Sequence, residues 1–358
     1  MRKWENAKMR IFFSRIHAYT HLRINYIKEV SMKKILLSLL VFIFSLCAIP
    51  LFAGGSGVYP NGAEGFLVAA VPPPGFYGVN YFAMLNAPKL KDNRGNEARF
   101  PNGTRVLDHA TIFADVLRTI WISKYKLLNG SYGQHLFIPL LYSHFKFNAP
   151  VGPKGESGYS DFYFPYFIYS PFILAHHFLG GKLHTVFSLP DIYTPGISDD
   201  DNFQANMHHN YWTFEPVFAV TYLPGPWEIS LKFMYDFSTK EDDHPTPYGV
   251  KLDRTPGQEF HFDYNISYAL NKKFRIGIGG FWYQQTTDDD YDGKGKLPAP
   301  LKQIIEKDEE LHSKQLAIGP GVWFQVKRFF VTVRYQQTIY ERNAPQLKNL
   351  WVKVIWRY

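Results

Sequence analysis

The stretch WEISLKFMYDFS, residues 227–238, alternates without a break. Trp227, Ile229, Leu231, Phe233, Tyr235 and Phe237 occupy one set of positions; Glu228, Ser230, Lys232, Met234, Asp236 and Ser238 occupy the other. Successive side chains of a strand point to opposite faces, so this segment has one apolar and one polar wall. EFHFDYNISYAL, residues 259–270, does the same, with Phe260, Phe262, Tyr264, Ile266, Tyr268 and Leu270 opposed to Glu259, His261, Asp263, Asn265, Ser267 and Ala269. Less regular alternation recurs around Trp212–Tyr222, Phe274–Tyr283, Gln315–Val326 and Phe329–Gln336.

Worked outward, the pattern predicts about twelve strands of roughly ten residues, the length a tilted strand needs to cross a bilayer. They fall near 76–87, 109–124, 132–147, 162–178, 182–192, 211–223, 227–238, 259–270, 274–287, 314–326, 329–340 and 349–358. Connections after the even strands are short, as in Pro224-Gly225-Pro226 and Lys327-Arg328, whereas those after strands one, three, five, seven and nine are long. That parity belongs to outer-membrane barrels, with short periplasmic turns and long outer loops. In lipid every backbone N–H and C=O needs a partner within the protein, so strands span only as a closed barrel. The expected fold is therefore all-β, a transmembrane antiparallel up-and-down β-barrel over residues 76–358, seated in outer-membrane lipid. The last strand alternates through Leu350, Val352, Val354 and Trp356 to Tyr358, a pattern resembling the C-terminal signal read by the barrel assembly machinery.

Composition agrees. Of 358 residues, 18% are aromatic and 20% charged. Interfacial aromatic girdles account for the first figure without a ligand. The formal charge of +8 is concentrated near the N-terminus. Residues 1–53 hold nine of the 39 Lys and Arg and two of the 31 Asp and Glu, leaving 30 bases against 29 acids. A nucleic-acid footprint needs a basic face on the folded domain, so no nucleic-acid partner is expected. A single cysteine, Cys47, excludes a disulfide framework and Cys-rich metal sites.

Met32-Lys33-Lys34, the apolar run Ile35–Phe52 and Ala53 before Gly54-Gly55 read as a signal peptide over 32–53. Leu46 stands where a lipidated cysteine needs a small neighbour, so Cys47 is not read as a lipid anchor. Residues 1–31 read as an upstream extension of uncertain translation. Residues 54–75, rich in Gly and Pro, precede the first strand and form a candidate plug for the lumen.

The blocks GGSGVYPNGAEGF (54–66), PPGFYGVNYF (73–82), NYWTFEP (210–216) and GQEFHFDY (257–264) resemble the meta-pathway phenol-degradation family of outer-membrane barrel proteins. The resemblance implies outer-membrane placement and passage of phenolic or other hydrophobic compounds. It brings no catalytic motif, and the insert Leu297–His312 departs from it as a local loop variation.

The polar wall offers Glu215, Glu228, Lys232, Asp236, Glu259, His261, Asp263, Arg275 and Arg334 as candidate lining of a permeation path. The same residues also suit an ion-pair network filling a narrow barrel. Asp288, Asp290, Asp292 and Gly293 match half of a calcium loop, but Ala299 stands where its bidentate Glu is required. Asp199-Asp200-Asp201 with His208-His209 is a looser cluster, and His176-His177 point to opposite faces. No metal site, cofactor or catalytic residue is expected. The sequence favours a channel for passive uptake of small hydrophobic or aromatic compounds. The alternative is a structural or surface-interaction barrel with a filled lumen.

Overall fold

The computed structural model describes residues 59–358 except 101, 152–155, 197–209 and 247–249. The extension, the leader with Cys47, residues 54–58, and the Asp199–Asp201 and His208-His209 cluster lie outside the described residues.

Among the described residues there are sixteen strands: β1 Gly75–Lys91, β2 Leu107–Leu127, β3 Gly130–Val151, β4 Glu156–Tyr163, β5 Ile168–Phe178, β6 Leu183–Tyr193, β7 Thr213–Tyr222, β8 Trp227–Ser238, β9 Glu241–Pro245, β10 Lys251–Thr255, β11 Glu259–Asn271, β12 Phe274–Gln285, β13 Asp290–Asp292, β14 Lys314–Val326, β15 Phe329–Arg342 and β16 Ala344–Arg357. Among the described residues one α-helix, α1, spans Ala299–Glu309. Among the described residues no helix is long and apolar enough to cross a membrane.

The wall is a closed antiparallel sheet. Starting at β1 it runs through β2, β3, the β4/β5 pair, β6, β7, β8, β11, β12, β14, β15 and β16, and β16 returns to β1 from Tyr77↔Arg357 to Lys91↔Ala344. Counting β4 and β5 as one stave gives the twelve expected crossings. These two share one neighbour: β4 pairs with β3 at Leu141–Lys146, and β5 pairs with it at Ser131–Phe137. Pro165, which has no N–H to give a ladder, lies in the break between them.

The barrel is inverted relative to a soluble protein. On β7, β8 and β11 the polar wall faces in: Glu215, Glu228, Ser230, Asp236, Glu259, His261, Asp263 and Asn265 are buried. The apolar wall faces out, with Ile278 57% exposed and Ile339 60% exposed in mid-strand. Burying such side chains in lipid removes them from water at about 25 cal/mol per Å2. Asp115 breaks the outer apolar pattern and accepts a hydrogen bond from Asn80. Phe76, Tyr222, Trp227 and Tyr268 lie exposed near the short-turn end, and Trp227 packs edge-on against Tyr268 at 5.0 Å. They form part of one interfacial girdle.

The turns at that end are tight because left-handed residues close them. Leu128 (φ 48°) and Asn129 (φ 62°) link β2 to β3. Both central residues have positive φ, as a two-residue hairpin that follows the strand twist requires.

Three features depart from the sequence reading. First, β2 and β3 run for 21 and 22 residues, on the order of 70 Å each, far beyond the hydrocarbon layer. Much of the expected loop after strand three is therefore strand. Second, β16 starts at Ala344 rather than near 349, so Asn343 alone (φ 45°) turns the chain after β15. Third, the segment 286–313 is not plain loop. It carries β13, which joins β9 and β10 in a small sheet, and α1, whose Ile305 is buried. Pro298 precedes this helix and Pro300 sits in its first turn, where no backbone N–H is needed. Within the loops the half-buried Asp289 accepts from Arg254 Nε and Nη2 at 3.0 and 2.8 Å. Burial pushes its carboxyl up, and Arg254 opposes that shift. The half calcium loop has other partners. Asp288 meets His312 at 2.6 Å, and Lys240 lies 3.7 Å from Asp292.

The outward placement of Ile278 gives a quantitative expectation. Ile278→Arg should cost about 2–4 kcal/mol, measured by denaturant titration of the barrel refolded into lipid vesicles. A change within error would mean that this face does not meet hydrocarbon.

Candidate functional site: the lumen and its N-terminal segment

The irregular segment 59–74 carries backbone polar groups that need partners wherever water is excluded, and the barrel wall supplies them. Asp263 accepts from the Tyr59 hydroxyl (2.8 Å), the Gly62 N–H (2.8 Å) and the Glu64 N–H (2.9 Å). Arg334 Nη1 donates to the carbonyls of Gly62, at 2.9 Å, and Glu64. Glu228 accepts from the Leu67 N–H at 2.6 Å and Thr221 from the Ala69 N–H at 3.0 Å. Tyr59, Ala63, Glu64, Phe66 and Ala69 are buried as a result.

Glu64 is the polar centre of the segment. Its carboxylate receives Tyr81 Oη at 2.6 Å, Arg118 Nη1 at 3.0 Å and Lys353 Nζ at 2.6 Å, from β1, β2 and β16. Charge-assisted bonds of this kind are roughly twice as strong as neutral ones. Two glycines lie beside it, and the backbone of Gly62 favours that residue. Gly62 has φ +86°, and a Cβ there would lie 2.2 Å from Gln336 Oε1. A Cβ on Gly65 would lie 2.6 Å from Arg334 Nη1.

Two cavities flank this knot. The larger, about 260 Å3, is lined mainly by apolar side chains, among them Val79, Ile120, Phe137, Trp323, Phe330 and Ile355. The smaller, about 50 Å3, is lined by Tyr59, Tyr166, Ile168 and Tyr193 among others. Glu64, Tyr81, Phe137, Asp191 and Lys232 border both.

The nine residues singled out from sequence separate into three groups. Lys232 alone lines the cavities, its Nζ 4.2 Å from the centre of the Tyr59 ring. Asp263, Arg334 and Glu228 hold the N-terminal segment, and Arg275 Nη1 lies 3.6 Å from Glu228. Glu215, Asp236, Glu259 and His261 gather in a buried cluster: His261 Nε2 is 3.2 Å from Asp236 and 3.6 Å from Glu215. Sequence reasoning missed Glu64, Arg118, His135, Asp191 and Lys353. On β2, β3 and β6 the inward face mixes Val, Ile and Phe with Arg118, His135 and Asp191, so alternation carries no polar contrast there; Glu64 lies outside the strands.

Ser170, His135 and Asp191 are buried together and mutually bonded. The arrangement cannot run a serine relay. Ser170 and Asp191 both approach His135 Nε2, while Arg118 Nη2 lies 2.7 Å from Nδ1. Arg118 can only donate, so Nδ1 is an acceptor and Nε2 carries the proton. The nitrogen facing Ser170 is then no base.

The family profile described as "Putative MetA-pathway of phenol degradation" matches residues 95–354. The chain belongs to this phenol-degradation family. A solved outer membrane channel from Pseudomonas putida F1 superposes with a TM-score of 0.65 at 13% identity, covering 84% of this chain and 100% of that one. The transport unit of the autotransporter AIDA-I from Escherichia coli gives 0.46 at 8% identity, covering 79% and 90%. A mutant of the monoaromatic hydrocarbon channel TodX gives 0.41 at 9%, covering 83% and 92%. No curated protein matches the sequence. Closed twelve-stave topology and the Pseudomonas likeness together place this family member in the bacterial outer membrane.

Asp263 makes a direct prediction for the segment. Asp263→Ala removes three acceptor contacts, each worth about 1.5–3 kcal/mol when the acceptor is charged. Amide exchange at Gly62 and Glu64 should accelerate at least about tenfold, read by hydrogen–deuterium exchange. Unchanged protection there would mean that the segment is held by something else.

Proposed function

We propose that this protein is an outer-membrane channel through which small hydrophobic or aromatic molecules diffuse inward, and that residues 59–74 gate it. The observation that carries the reading is the apolar cavity of about 260 Å3 directly against the Glu64 knot. An apolar cavity of about 150 Å3 already holds benzene, so a single-ring solute fits. Family membership supports the same solute class. Lys232, Arg118 and Lys353 on the rim suit a solute that carries a carboxylate or phenolate. The gate is held by hydrogen bonds, ion pairs and side-chain packing, so it can open without breaking a covalent bond or a strand ladder. The C-terminal strand ending at Tyr358 supports recognition by the barrel assembly machinery.

One observation favours the second reading, a filled structural barrel. Glu64 borders both cavities, and its three partners tie the segment to β1, β2 and β16, so the knot itself occupies the lumen. The readings part on permeation. Liposomes carrying the full chain, a variant lacking residues 54–70, or Glu64→Gln are compared with empty vesicles for influx of benzoate, which crosses lipid poorly as the anion. The channel reading expects influx above background for the full chain and several-fold faster for both variants. Background influx in all three, with no single-channel conductance, would establish the filled barrel instead.

A further inference from the structure

We infer that Glu215, Asp236 and His261 form a buried binding site for one divalent transition-metal cation, of the Zn2+ or Mn2+ class, inside the barrel wall. The inference does not depend on the channel reading.

Register creates the need for a cation. Asp191 on β6 stands opposite Glu215 on β7, and Asp236 on β8 stands opposite Glu259 on β11. On β7 and β8 the ladder pairs Thr213 with Ser238 and Val217 with Met234, which puts Glu215 level with Asp236 between them. Four carboxylates therefore sit side by side on four neighbouring strands, all facing inward. Like charges directly opposite one another destabilise a sheet, and burial removes the water that would screen them. Glu215 is 0% exposed, Asp236 1% and His261 0%.

Among the described residues no lysine or arginine forms an ion pair with Glu215 or Asp236, and His261 is their only ion-pair partner. Lys232 lies over the Tyr59 ring, and Arg334 is engaged with the Gly62 and Glu64 carbonyls. Polar atoms remain unanswered as well. Glu215 Oε1, Asp236 Oδ1 and His261 Nδ1 are buried with no hydrogen-bond partner. Buried polar atoms in this state call for an explanation such as an ion.

The geometry fits one. A ligand atom from each of the three side chains lies within 4.8 Å of the others. His261 Nε2 is 3.2 Å from Asp236 Oδ2 and 3.6 Å from Glu215 Oε2. Metal–ligand bonds of about 2.0–2.1 Å in a tetrahedron give ligand separations of roughly 3.3 Å, between these two values. Tyr193 donates to Glu215 Oε2 at 3.0 Å. Such outer contacts fix the orientation of ligating carboxylates. One imidazole nitrogen with two carboxylate oxygens suits Zn2+ or Mn2+, whereas Mg2+ and Ca2+ prefer all-oxygen sets. Sequence spacing hides the site because its ligands come from three separate strands.

The test uses the full chain. Protein extracted from outer membranes in detergent without chelator is assayed for metals by mass spectrometry. The same protein, stripped and unfolded, is refolded with Zn2+ alone, Mn2+ alone or EDTA, and its thermal unfolding is followed by the heat-dependent gel shift of barrels. The expected result is about one equivalent of Zn2+ or Mn2+ per chain and a higher unfolding temperature with that ion than with EDTA. Asp236→Asn and His261→Ala should each weaken binding about tenfold or more and abolish the temperature shift. Should a variant fail to fold, the wild-type stoichiometry and shift decide alone. Under a tenth of an equivalent in native protein, with no shift for either ion, would overturn the site. The cluster would then be neutralised by shared protons.

Discussion

The ladder between the first and last strands carries the architecture. Pairing from Tyr77↔Arg357 to Lys91↔Ala344 joins two strands that are far apart in sequence and closes the barrel wall. An unpaired edge in hydrocarbon would expose backbone groups at several kcal/mol each. With the edge removed, alternation has only one stable sense: apolar side chains turn to lipid and polar side chains to the interior. Glu228, Asp236 and Asp263 are buried for that reason, although the same residues on a soluble sheet would seek water.

A polar interior creates a second demand, since every inward charge must find a partner. The segment 59–74 meets part of it. Its N–H groups answer Asp263 and Glu228, its carbonyls answer Arg334, and its Glu64 answers Arg118 and Lys353. The wall and the segment thus complete each other electrostatically. Removing either leaves buried charges exposed to one another or to water entering the lumen. That reciprocity links closure to gating, because whatever loosens the segment also changes the lumen's charge. The Glu215–Asp236–His261 cluster is the part of the interior that the segment does not reach with a counter-charge, and there a bound cation supplies what the chain lacks.

Much of this was legible in the sequence. Twelve crossings, closure and inside-out polarity followed from residues such as Trp227–Ser238, where one face is wholly apolar. Strand ends were less legible. β2 and β3 extend far beyond the membrane because ladder hydrogen bonds continue after the lipid-facing pattern stops. The helix Ala299–Glu309 is hidden in the sequence because Pro298 and Pro300 mask a helix start in a charged segment. The polar wall of β7, β8 and β11 was found, but not its division into anchors, a cavity residue and a cluster. Register between strands decides that division, and one strand's sequence does not contain it. Glu64 is the clearest omission. It lies outside any strand, and only the convergence of Tyr81, Arg118 and Lys353 gives it its role.

The claim beneath all of this is that lipid lies against one face of each stave and protein against the other. Spin labels placed singly at each position from Trp227 to Ser238, in the barrel reconstituted into vesicles, test it directly. Relaxation by oxygen, which concentrates in lipid, should dominate at Trp227, Ile229, Leu231, Phe233, Tyr235 and Phe237. Both oxygen and a water-soluble nickel reagent should have poor access at Glu228, Ser230, Met234 and Asp236. Oxygen access with no period of two, or nickel access at Leu231 and Phe233 equal to that of free solvent, would contradict the account.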